Sequence, residues 1–156
     1  MSSTIQLSKR FREVLLDGYW IANTNFKDKL SDVTWKQAIA KIDSLNTIAM
    51  LTFHIHYYIA GIVNVLEGGE LEIKDQFSFD LPPIESAEQW EALLNRLWTD
   101  SEKFALLVEQ MADSKLDEVF VDKKYGTYRR NIDGIIEHAY YHLGQITLIK
   151  KMLTHL

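Results

Sequence analysis

The hydrophobic residues of this chain return every three or four positions in four long segments, a spacing typical of helices that bury one face. The first helix is predicted to run from Ile5 to Leu30. The second follows Asn46, a predicted N-cap, and continues to Leu66, because Gly68 ends the pattern. Both ends of the second helix therefore have suitable capping residues.

The other two predicted helices lie in the second half of the chain. The third follows a Pro-Pro pair, begins where Ser86 and Gln89 have the spacing of a capping box, and continues to Met111. The fourth runs from about Asn131 to Leu153. Together the four segments predict an all-α fold, a helical bundle.

The predicted helices are joined by long connections. The segments Gly69–Glu85 and Ala112–Arg130 are too long for tight helical hairpins, so at least one connection is expected to cross the bundle. The segment Phe120–Tyr128 combines β-branched and aromatic residues around a glycine, a pattern that predicts a small hairpin.

Composition narrows the class of protein. A chain of 156 residues with 47% hydrophobic residues predicts one domain, residues 1–156. Its net charge of −5, without a basic cluster, argues against a nucleic-acid partner. The N-terminus is interrupted by charges, and no apolar stretch is expected to reach the roughly 20 residues that cross a bilayer. These features predict a soluble, cytoplasmic protein with no membrane partner.

The chain contains no cysteine, so any metal must be bound through nitrogen or oxygen. His138 and His142 are four residues apart, and on a helix two such imidazoles can share one ion. A third ligand is needed, and the candidates His54 and His56 point about 200° apart on a helix. The periodicity does not decide between His54 and His56. It also leaves open the alternative that these histidines are ordinary packed or surface residues that bind no metal. His155 is expected to be uninvolved.

Several other site types are excluded by inspection. No glutamate has a histidine three residues later, which argues against a ferritin-like di-iron centre. The sequence also has no His-Glu-x-x-His, no Gly-x-Ser-x-Gly and no glycine-rich phosphate loop. The residues thus favour a mononuclear histidine site or no site.

Two segments, "NTIAMLTFHIHYYIAGIVNVLEG" and "HAYYHLGQI", resemble the DinB-like (YfiT-like) family of metal-binding four-helix bundles. The second matches the signature HxxxHxGQI, and the first matches IAxLxxH about ninety residues upstream. The matching residues are Ile48, Ala49, Leu51, His54, His138, His142, Gly144, Gln145 and Ile146. The resemblance extends over most of the chain and selects His54 rather than His56.

The resemblance implies a bundle with up-down-down-up connectivity and a divalent metal ion, most suitably zinc, nickel or iron, bound by His54, His138 and His142. It also implies a homodimer, and relatives that act as metal-dependent transferases or isomerases with low-molecular-weight thiols. Other relatives have no assigned activity. The resemblance therefore indicates a site more clearly than a reaction.

Four residues near the histidines receive specific predictions. Gln145 lies on the same helical stripe as His142, where its amide is expected to orient a ligand or to pack as part of the helix. Tyr58 and Tyr141 are candidates for the pocket wall, or for ordinary structural roles. Gly144 is interpreted as a site where a neighbouring helix approaches closely.

Two functions follow from this sequence. In the first, the protein is a metal-dependent enzyme that activates a thiol cosubstrate or water for attack on a small-molecule electrophile, as a transferase or hydrolase. In the second, it is a non-catalytic, metal-bearing, dimeric binding or stress-response module. A general base would favour the enzyme, and the sequence offers only Asp133, Glu137 and the tyrosines near the ligands.

Overall fold

The computed structural model of the chain describes residues 1–154, and its regular structure is helical. The α-helices are α1 (Ser3–Arg12), α2 (Phe26–Leu30), α3 (Trp35–Ala38), α4 (Ile48–Leu66), α5 (Ala87–Gln110) and α6 (Tyr128–Thr154). A π-helical turn extends α1 over Glu13–Asp17, and short 3-10 turns occupy Asp75–Phe77, Asp113–Asp117 and Lys123–Tyr125. The all-α prediction is confirmed.

The prediction of one helix from Ile5 to Leu30 is wrong. Helical structure stops at Asp17, because Gly18 adopts an extended backbone. The chain then passes through two residues with φ of 54°, Ala22 and Asn23, before α2 begins. The hydrophobic period continued through this stretch because Tyr19 and Ala22 keep the helical spacing, although Tyr19 is 54% exposed and Ala22 is exposed as well.

Two helix starts differ from the prediction, by one and by three residues, and a third agrees with it. Thr47, not Asn46, caps α4, because the Thr47 hydroxyl accepts the backbone N–H of Met50. The predicted cap of α5 is confirmed, since the Ser86 hydroxyl accepts the N–H of Gln89. Helix α6 begins at Tyr128, ahead of the predicted Asn131. Polar caps were thus placed in the right regions.

The predicted hairpin is reduced to a single antiparallel bridge between Val119 and Thr127. The Phe120 N–H donates to the Gly126 carbonyl at 2.9 Å, and Gly126 has a φ of 77°. The residues between these partners form a 3-10 turn, so no further pairs of the ladder can form. The connection enters α6 directly after the bridge.

The long helices pack as neighbours: α4 lies against α5 and α6, and α1 also lies against α5 and α6. Their apolar faces form one buried cluster, in which Phe11 of α1 and Phe104 of α5 stack with ring centroids 4.2 Å apart. The contact between α4 and α6 positions the site, because His54 lies on α4 and the other two candidate ligands lie on α6.

Helix α4 is more apolar than the sequence analysis expected. It is 19 residues long with a mean hydropathy of 1.4, so by length and composition it could cross a membrane. The expectation that no apolar stretch reaches such a length is therefore wrong for this segment. Polar side chains along it hid this property from inspection. In the fold 56% of this stretch is buried, as is usual for the core helix of a folded protein.

Candidate metal centre

Helices α4 and α6 bring three histidines together. Nε2 of His138 lies 3.1 Å from Nε2 of His54 and 2.8 Å from Nε2 of His142. His54 and His142 are buried, at 7% and 6% exposure. Each of the three offers a nitrogen within 4.8 Å of the others, so the cluster could hold a metal ion.

The ring orientation of His54 is set by the connection between α4 and α5. Its Nδ1 lies 3.2 Å from the backbone carbonyl of Ser78. A carbonyl can only accept, so Nδ1 carries the proton and Nε2 presents a lone pair to the cluster. Phe79 stacks on the same ring, with centroids 4.0 Å apart and planes inclined by 7°. Two consecutive residues of this loop, Ser78 and Phe79, therefore fix the orientation of the His54 ring.

The orientation of His142 is set within α6 itself. Its Nδ1 lies 2.6 Å from Oε1 of Gln145, three residues further along the helix. The amide oxygen accepts the Nδ1 proton, so Nε2 of His142 also presents a lone pair. The sequence prediction that Gln145 orients a ligand agrees with this contact.

With His138, the cluster contains more nitrogen lone pairs than the protons of the three rings can satisfy. Its Nε2 faces two nitrogen lone pairs, and a neutral imidazole can donate one proton from this atom at most. At least one close pair of nitrogens then lacks a proton between them. Nitrogen ligands about 2.0–2.1 Å from one ion lie roughly 3 Å apart, close to the separations observed here. The arrangement fits a cation.

The three histidines are held in the neutral form that binds metal ions. Burial, together with the charges that His142 and His54 would carry, lowers the pKa of His138 from 6.5 to about 4. Burial also lowers the pKa of His54 and of His142. All three therefore have free lone pairs near neutral pH, as ligation requires.

The other histidine candidate on α4 lies outside the cluster. His56 Nε2 is 2.7 Å from the Asp100 carboxylate of α5, so this ring links two helices. The structure thus places His54 in the cluster and His56 in a side-chain contact with Asp100. His155 lies outside the described residues.

The two tyrosines contact the ligands to different extents. Tyr58 lies edge-on to His54 and His138, with centroids 5.1 and 5.4 Å away, and its hydroxyl donates to Asp75 at 2.8 Å. Burial and this hydrogen bond raise its pKa. Tyr141 lies edge-on to His142 at 5.0 Å but is 65% exposed. Tyr58 forms part of the inner wall, whereas Tyr141 stands at the rim.

Gly144 does not have the role predicted from the sequence. A Cβ built at Gly144 would meet nothing within 4 Å, so no neighbouring helix approaches there and the packing interpretation is wrong. Close approach instead occurs at Gly61 of α4, where a Cβ would lie 2.6 Å from Ile73. Gly61 thus leaves room for the loop after α4 to pack against this helix.

The two acidic residues considered as general bases are both paired with arginine. Asp133 lies 2.8 Å from Arg10 Nη1, and Glu137 lies 3.3 Å from Arg130 Nη1. Each carboxylate therefore faces an arginine partner at the surface. Neither residue belongs to the histidine cluster.

The loop after α4 supplies contacts that sequence reasoning missed. Besides Ser78 and Phe79, Lys74 pairs with Tyr57, whose hydroxyl donates to the Lys74 carbonyl at 3.0 Å and accepts its N–H at 2.8 Å. We call the segment from Lys74 to Phe79 the strap. The length of the connection was the one sequence feature that indicated a crossing. The contact with His54 could not be predicted, because it is made by a backbone carbonyl, which every residue has.

No protein-family model, curated protein or solved structure matches this chain significantly.

Proposed function

We propose that this protein is a metal-dependent enzyme in which His54, His138 and His142 bind one divalent ion and activate a low-molecular-weight thiol or water. The nucleophile then attacks a small electrophile, as in an S-transferase. The observation that carries the proposal is the convergence of three Nε2 atoms, two of them with Nδ1 protons already donated to Ser78 and Gln145. Such second contacts are typical of histidines that ligate metals.

The proposal includes the DinB-like fold, a four-helix bundle with up-down-down-up connectivity. In support, α1, α5, α4 and α6 pack as neighbours in that cyclic order, and each pair of consecutive long helices is separated by a long connection. Such connections suit a bundle with crossovers.

The chemistry of the ligands favours zinc, nickel or iron, because three neutral imidazoles suit these ions better than magnesium. When bound, such an ion lowers the pKa of a coordinated water or thiol. The chain has no cysteine, so a cosubstrate or solvent must supply the nucleophile. Phe79 and Tyr58 cover the histidines from the strap side and from α4, and so limit the access of water.

Metal analysis tests the ligand set. Protein treated with chelator and reloaded with zinc, nickel or iron is expected to contain about one ion per chain. His54→Ala, His138→Ala and His142→Ala should each reduce this content strongly, because two imidazoles hold an ion much less tightly than three. His56→Ala is the matched control on α4 and should keep full content. Loss of metal in His56→Ala with retention in His54→Ala would refute the ligand set.

Turnover tests the reaction. The metal-loaded protein is assayed with several low-molecular-weight thiols and 1-chloro-2,4-dinitrobenzene, an uncharged chromogenic electrophile. In this reaction a carbon–sulfur bond forms, chloride leaves and the thiol proton passes to solvent. Wild type should exceed His142→Ala by at least tenfold. A protein that binds metal but shows equal rates for the two would instead be the non-catalytic, dimeric binding module.

A further inference from the structure

A cavity of about 320 Å³ is lined in part by Gln145, the residue whose side chain is hydrogen-bonded to His142 of the cluster. Leu51 of α4 lines the cavity three residues before His54, and Ile149 of α6 lines it one turn beyond Gln145. The cavity therefore adjoins the cluster along both helices that carry the ligands. Its volume falls at the small end of the range for ligand pockets, roughly 300–1,000 Å³.

The lining of the cavity is uncharged and largely apolar. Leu45 and Leu148 stand at its mouth, 40% and 59% exposed, and the polar members besides Gln145 are Ser44 and Asn46. An ion that entered would lose its hydration without gaining a charged partner. Lys150 follows Ile149 in α6, but its ammonium pairs with Asp32 and does not line the cavity.

Gln145 has one side-chain group left for a ligand. Its Oε1 accepts the Nδ1 proton of His142, and within residues 1–154 its amide nitrogen donates to no protein atom. An amide N–H at the wall of an uncharged, largely apolar pocket suits a neutral acceptor such as a nitro or carbonyl oxygen. A molecule bound there would lie against the residue that orients a histidine of the cluster.

We infer that this cavity binds the electrophilic substrate of the proposed enzyme, an uncharged and largely apolar small molecule that carries a hydrogen-bond acceptor for Gln145. This inference rests on the proposed function and names its substrate class. Gln145 is a positioning residue in this arrangement, since it links the orientation of His142 to the occupancy of the cavity.

The test measures binding of 2,4-dinitrotoluene to the metal-loaded protein by isothermal titration calorimetry. This probe is neutral and has no leaving group, so binding is separated from reaction. The charged analogue 2,4-dinitrobenzoate should bind at least tenfold more weakly. Leu148→Trp and Leu45→Trp each add volume at the mouth from opposite sides, and each should raise the Kd for dinitrotoluene at least tenfold. Leu106→Trp, at a 48% exposed leucine of α5, is the control and should leave the Kd unchanged.

Gln145→Glu tests the contact with the substrate. It keeps an oxygen acceptor for His142 but removes the amide donor, so the metal-loaded variant should bind the probe at least tenfold more weakly. Metal content is measured for every variant. Metal binding with equal probe affinity in wild type, Leu148→Trp and Leu45→Trp would overturn the inference and leave the proposed function standing. The expected pattern of probe affinities without any metal binding would support the cavity and refute the proposed function.

Discussion

Both oriented histidines donate their Nδ1 protons to uncharged oxygens, the Ser78 carbonyl for His54 and the Gln145 amide for His142. Neutral acceptors fix the tautomer without placing a negative charge beside the imidazole. A cluster of this kind keeps the full positive charge of a bound divalent ion, which stabilises an anionic nucleophile more strongly. At the scale of single residues, these tautomers direct the Nε2 lone pairs of His54 and His142 into the cluster, where they could hold a cation.

The same burial makes the stability of the metal-free protein depend on pH. The pKa of His138 is 6.5 in an unfolded chain and about 4 in the fold, so between these values the unfolded chain binds a proton that the folded chain does not. The free energy of unfolding should therefore be greatest above pH 6.5 and fall as the pH drops towards 4.

Urea unfolding of chelator-treated protein, compared at pH 7.5 and pH 5, measures this change. His138→Gln should show a smaller fall between the two values, because the variant lacks the most strongly shifted group. An equal fall in both proteins would place the pH dependence elsewhere in the chain.

At the scale of elements, the long amphipathic helices could be predicted and the short irregular segments could not. Helices α4, α5 and α6 could be predicted from the period of their apolar residues, because each presents one apolar face to the core. For α4 and α5, polar capping residues also indicated where the helix begins. The prediction failed for the segment after α1 because Tyr19 and Ala22 kept the period although both are exposed in the fold. Periodicity records which residues are apolar, and burial is decided by the partners that the chain finds later.

The side-chain contact between His56 and Asp100 gives a prediction about how α4 and α5 are held together. Both side chains are mostly shielded, with 13% and 26% exposure. Replacing either by alanine should lower the free energy of unfolding by roughly 1 kcal/mol, the usual net contribution of such a hydrogen bond. The double variant should lose less than the sum of the two single losses, because the shared contact is already gone.

Urea denaturation of wild type, His56→Ala, Asp100→Ala and the double variant at pH 7 completes this cycle. Metal content is determined in parallel and should be the same in all four proteins. Additive losses would show that the contact does not stabilise the helix pair.

At the scale of the whole molecule, the three histidines illustrate what a sequence can indicate about a site. The spacing of His138 and His142 predicted a shared face of one helix, which the structure confirms. The third member required knowledge of how α4 and α6 pack, and periodicity could not decide between His54 and His56. The resemblance to the DinB-like family selected the residue that the fold brings into the cluster. The homodimer and the cytoplasmic location stay predictions.

The strap also links the ligand site to the susceptibility of the chain to proteases. Trypsin must draw several residues around Lys74 out of the fold before it can cleave after this exposed residue, and the contacts to Tyr57, Tyr58 and His54 oppose that opening. An ion that immobilises the His54 ring should therefore slow cleavage after Lys74, as followed by mass spectrometry. Lys124, in the connection before α6, serves as an internal control whose cleavage rate should not change. Equal protection of both sites, or of neither, would show that the strap opens independently of His54.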